Sequence, residues 1–207
     1  MNSWLRGAAL FGCSALLCAH DPITTRLTWT LEISRIVYKH CAGCHSYLTT
    51  YEQARPWAKA VRDEVATRRM PPWGAVQGIG DFAGDPSLTA PEIDMLIAWV
   101  EGGAPEGDPV YLPHRPIPAD IRAPAIPQHS RALTVSGTLK LPAAVTLVAI
   151  QPRGILEAWA ILPDRKIERL IRLSDYRGRA YVLTKPRRFP ANTVLRVEGK
   201  PATFMLR

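Results

Sequence analysis

Apolar residues follow two rhythms along the chain. Leu31, Ile33, Ile36 and Val37 fall on one helical face behind a Thr30 cap. A second helix is predicted from Tyr51 to about Thr67, interrupted or restarted at Pro56. Ile93, Leu96, Ile97 and Val100, with Trp99 beside them, give the buried face of a third helix. The capping box Thr89-Ala-Pro-Glu92 opens that helix and Gly102-Gly103 stops it. Beyond Arg131 the rhythm shortens. Arg131 to Leu141, Val145 to Ile150, Ile155 to Leu162, Ile167 to Leu173, Ala180 to Thr184 and Thr193 to Val197 are runs of β-formers punctuated by Pro, Asp and Gly. They predict six or seven antiparallel strands, and their close spacing predicts a small sandwich over 131–207.

Composition and charge sharpen the division. Seven prolines between Gly103 and Gln128 predict a stiff, extended connector over 104–130. Residues 21–101 carry 8 Lys or Arg against 10 Asp or Glu, whereas residues 106–207 carry 17 against 8, so the positive charge belongs to the C-terminal half. At the N-terminus, one positive charge before a 13-residue small and apolar run, Gly7 to Ala19, reads as a signal peptide over 1–19. That run is too short to span a bilayer, and no transmembrane segment is expected in the mature chain. The protein is therefore expected in the periplasm or another extracytoplasmic compartment.

The chemistry centres on Cys41-Ala-Gly-Cys44-His45. Cys-x-x-Cys-His is the spacing at which haem is attached: two thiols a short turn apart add to the two vinyl groups, and the following histidine serves as proximal ligand. A structural zinc site would need two further ligands, yet Cys13 and Cys18 lie in the segment expected to be removed. A redox pair or a plain disulfide are the other uses of two such cysteines. Downstream, Arg68-Arg-Met70-Pro-Pro-Trp73 holds Met70 on an extended loop where a thioether can be presented to iron. The competing role for Met70 is filling a core gap. Met95 falls off the apolar face of its helix and Met205 lies in the last strand. His40 reads as a surface residue, and His20, His114 and His129 fall in flexible segments.

Cys-x-x-Cys-His, the Met-Pro-Pro-Trp loop and the helix from Ile93 to Pro105 together resemble a monohaem cytochrome c domain. The resemblance covers about residues 25–105, and the domain is drawn over 20–103. It implies a small all-α fold wrapped on one covalent haem c, with His45 and Met70 as axial ligands and Trp29, Trp57, Trp73 and Trp99 lining or closing the pocket. The C-terminal half is similar to the last domain of copper type II, ascorbate-dependent monooxygenases in Val148-Ala-Ile-Gln-Pro, Ala158-Trp-Ala-Ile-Leu-Pro-Asp, Ile171-Arg-Leu-Ser-Asp-Tyr and Phe189-Pro-Ala-Asn-Thr. That family carries His-x-His where this chain has Pro152-Arg153-Gly154-Ile155, and no histidine follows His129. No copper is expected, because copper of this type is held mainly by imidazole.

The expected fold is thus α + β in two domains: a small all-α cytochrome c domain followed by an antiparallel β-sandwich. The expected activity is single-electron transfer by an extracytoplasmic carrier rather than catalysis, the β region docking or orienting it. The alternatives are an electron-donating subunit of a monooxygenase or other oxidoreductase system, and a haem-based gas sensor. The partner is a redox protein, for which positive charge favours an acidic surface. Arg165, Lys166, Arg169, Arg172, Arg177, Arg179, Arg187 and Arg188 read as a solvated surface, not a nucleic-acid site.

Overall fold

Thr28 starts the helical region. Its backbone is extended, its side chain accepts from Leu31 N, and its own N–H donates to Glu32 Oε2 at 2.9 Å. A wide turn at Trp29–Ile33 then runs into α1 (Ser34–His40). The cap therefore lies two residues before Thr30, whose side chain is buried. These positions come from a computed structural model that describes residues 26–114 and 124–207. The signal-peptide reading, His20 and the middle of the proline-rich connector lie outside the described residues.

Thr50 caps α2 (Tyr51–Ala54) by accepting from Gln53 N. Pro56 then has no N–H to continue the ladder, the chain tightens to a 3₁₀ turn at Arg55–Trp57, and α3 (Ala58–Ala66) follows. The capping box forms as expected at α4 (Ala90–Glu101): Thr89 Oγ1 accepts from Glu92 N, and Glu92 Oε2 accepts from Thr89 N at 2.8 Å. Ile33, Leu96, Trp29 and Trp99 centre the helical core, with the two indoles 6.1 Å apart. Trp99 Nε1 and Trp29 N both donate to Pro105 O, pinning the chain after α4 against the first turn.

The C-terminal half is one six-stranded antiparallel sheet: β1 (Arg131–Lys140), β2 (Val145–Pro152), β3 (Leu156–Ile161), β4 (Ile167–Arg172), β5 (Tyr181–Phe189) and β6 (Val194–Leu206). Its order is β4-β3-β6-β2-β5, with β1 along β6. The 13-residue β6 is the hub. Residues 194–199 pair with β3, residues 202–206 pair with β2, and both halves pair with β1. Between them the strand turns a corner. Gly199 adopts φ +96 with Ile155 O only 2.6 Å from where a Cβ would sit, so a side chain there would collide. Pro201 follows in the stretch where the β1 register slips.

That corner overturns the expected sandwich. A strand that bends and serves both halves curls a single sheet around its own core, in place of two sheets packed face to face. The expected small all-α domain is overturned as well, because the helical region does not close on itself. Residues 73–84 leave it and lie along the β4 and β5 edges of the sheet. Val76 N donates to Arg172 O at the β4 edge, and Ala83 N donates to Val182 O at the β5 edge. Isolated bridges pair Ala75 with Leu173 and Phe82 with Leu183. Gly74, at φ +85, brings the chain so close to Asp175 O that a Cβ would overlap it. Trp73 and Phe82 enter the sheet's core, where their rings meet that of Tyr181 at 4.9 and 5.3 Å, and Tyr181 Oη donates to Trp73 O at 2.5 Å. Burial first of all pushes the Tyr181 phenol up to about 12, so it remains a neutral donor. The molecule is mostly β, with short helices joined to it through a covered sheet edge.

Candidate functional site

The Cys-x-x-Cys-His run closes α1. Cys41 N and Ala42 N donate to Val37 O, and Cys41 O accepts from both Cys44 N (3.1 Å) and His45 N (2.9 Å). This tight turn carries Cys41 and Cys44 to one side, where both line the same pocket. Twenty-five residues beyond His45, Met70 reaches that pocket too, together with Pro71, Pro72 and Trp73. Arg68, at φ +55, turns the chain out of α3, and Met70–Pro71 is a cis peptide. Cys41, Cys44, His45 and Met70 thus share the wall of one cavity of about 430 Å³. That volume lies within the range of small-molecule and cofactor sites, about 300–1,000 Å³. Leu48, Val61, Val65 and the two prolines make much of the lining apolar.

The two thiols differ. Cys44 is exposed and Cys41 half-buried, and both are free. Burial, followed by the neighbouring Cys44, pushes the Cys41 thiol up to about 12. A redox Cys-x-x-Cys pair depends on a depressed pKa, so this environment disfavours disulfide exchange. His45 Nδ1 lies 3.1 Å from Tyr47 Oη. With its proton on Nδ1 the imidazole donates to Tyr47, and the Nε2 lone pair is left for a metal. Met70 is 38% exposed, which removes the core-filling role weighed for it. Met95 packs against the helical core and Met205 lies in β6.

The donor set fits a haem. Among the described residues no three His, Cys, Asp or Glu side chains cluster to grasp a bare ion. Two thiols, an imidazole and a thioether line one cavity, and these are the donor types through which a haem would be held. Three expectations about the surroundings need correction. Trp57 and Trp73 line the pocket, but Trp29 and Trp99 lie in the helical core. His40 is buried, its Nδ1 2.8 Å from Pro86 O and its Nε2 3.1 Å from Glu92 Oε1, because the α4 cap packs over it. Arg179 lines the pocket instead of joining the solvated basic surface. His114 and His129 are exposed.

No protein-family model, curated protein or solved structure matches this chain. No helix among the described residues is long and apolar enough to cross a membrane.

Proposed function

We propose that the protein is an extracytoplasmic single-electron carrier with one covalently attached haem. The observation that carries this reading is the convergence of Cys41, Cys44, His45 and Met70 on one apolar cavity, although Met70 is distant in sequence and nothing in the packing of a helical core requires it there. Cys41 and Cys44 would hold the group through two thioether bonds. His45 and Met70 would supply a nitrogen and a sulfur donor to its iron, and Tyr47 would fix the imidazole through Nδ1. Bound in this way, the haem supplies a one-electron ferrous/ferric couple. Leu48, Val61, Val65 and the Pro71-Pro72 pair keep water from its faces. A thioether at the sixth position favours electron transfer over gas sensing, which needs that position open. The positive charge of the C-terminal half favours an acidic redox partner.

Optical spectroscopy of protein matured in a host with cytochrome c assembly machinery tests the ligand set. The ferric protein should show the weak charge-transfer band of a thioether ligand at the red edge of the visible. Met70→Ala should abolish it, open the iron to added ligands and lower the potential, whereas Met95→Leu should change little. A spectrum unaltered by Met70→Ala would assign the sixth position to another residue.

A further inference from the structure

The cavity is not built from the helical region alone. Arg179 and Ala180, just before β5, form part of its wall. The Arg179 guanidinium carbon lies 5.1 Å from the centroid of the Trp73 ring, a cation–π contact that holds the side chain at the cavity wall, and the residue is half-buried. Its neighbours on the sheet are matched with carboxylates: Arg177 with Asp175 at 2.6 Å, Arg187 with Glu168, and Arg169 and Arg172 with Glu157. Arg179 has no carboxylate within ion-pair distance among the described residues. The acid that lines the same cavity, Glu64, is already engaged by Arg69 at 2.8 and 3.0 Å.

We propose that Arg179 is the counter-ion of a carboxylate on the group seated in the cavity. On the haem reading, on which this inference rests, that carboxylate is a haem propionate. A guanidinium is planar by conjugation, and its fork of N–H donors receives a carboxylate in two parallel hydrogen bonds. Withdrawn from bulk water, such a pair is screened less than a surface one. The sheet region then does more than dock partners. It completes the cofactor site through the segment at residues 73–84, because Trp73 both lines the cavity and sits in the sheet's core.

The test is a charge series in the full-length, haem-loaded protein: Arg179→Lys, Arg179→Gln and Arg179→Glu, each read by redox titration beside the haem retained on a denaturing gel. A nearby positive charge favours the reduced, electron-richer state. The potential should therefore fall in the order wild type, Gln, Glu, with Lys near wild type and Arg177→Gln unchanged. In the wild-type ferrous protein, nuclear Overhauser contacts should connect the Arg179 side chain with the propionate methylenes, a readout that needs no variant to fold. Attached haem whose potential is the same in wild type, Gln and Glu, or propionates without contact to Arg179, overturns the proposal and leaves the haem reading standing. Absence of attached haem in the wild type removes that reading instead.

Discussion

Phe82→Ala probes the joint between the helices and the sheet. The ring is 6% exposed, and its centroid lies 5.3 Å from that of Tyr181 and 6.5 Å from that of Trp73, both edge-on. Truncating a buried Phe costs ~3–5 kcal/mol once the residual cavity is included. Each of the two edge-on pairs accounts for ~0.5–1.5 kcal/mol beyond area burial. With a urea slope of ~2 kcal/mol/M, the unfolding midpoint should fall by about 2 M. Tyr181→Phe should cost less, ~1–3 kcal/mol, the penalty of leaving the buried Trp73 carbonyl without its donor. Trp73→Ala combined with Phe82→Ala should cost less than the sum of the single changes, because the rings share contacts, with a coupling of ~0.5–3 kcal/mol. Urea titration followed by tryptophan fluorescence measures all three. A loss below ~1 kcal/mol for Phe82→Ala would show that residues 73–84 merely lie over the sheet and do not fill its core.

Two further perturbations address the elements that shape the site. Burial works to raise the Glu92 carboxyl, but it is outweighed by hydrogen bonds from the Thr89 backbone, Lys39, the Thr89 hydroxyl and His40, which hold the group at about 2 against 4.5 ordinarily. A carboxyl depressed on folding stabilises fully above its unfolded pKa and loses that contribution as pH falls through the folded one. Wild-type stability should therefore decline between pH 4.5 and about 2, and Glu92→Gln should flatten that part of the profile, as read from urea midpoints across the window. Gly74→Ala forces a side chain into the left-handed region against Asp175 O and should cost roughly 2 kcal/mol or more in the same titration.

The helices were legible because their signals are local. Thr89 and Glu92 are three residues apart, and Pro56 breaks its helix by lacking one N–H. The ends of β5 and β6 were not legible, since Pro186 and Pro201 read as breakers. Each is tolerated where the ladder slips: β5 residues 183–186 have no partner in β2, and β6 leaves β1 around residue 200. The sandwich expectation failed for the same reason, because a corner inside one strand leaves no periodic trace. Residues 73–84 contain Gly74, Gly78, Gly80 and Gly84 and carry no element expected from the sequence, and their strand-edge pairings depend on residues a hundred positions away. The four proposed haem-holding residues were readable from motif spacing, although only the fold brings Met70 beside the cysteines. Arg179 was hidden among eight basic positions, because what distinguishes it is a neighbouring indole and the lack of an acid, both set by tertiary structure.

Haem retention under denaturing conditions tests the central claim most directly. Protein matured in a host with cytochrome c assembly machinery is extracted with acidified acetone, and haem is measured in the precipitate for wild type, Cys41→Ala and Cys44→Ala. One haem per chain should stay with the wild-type polypeptide, and retention should weaken in either variant, each losing one of two thioether bonds. Complete extraction from the wild type, or a matured chain that holds zinc and no haem, would contradict the account.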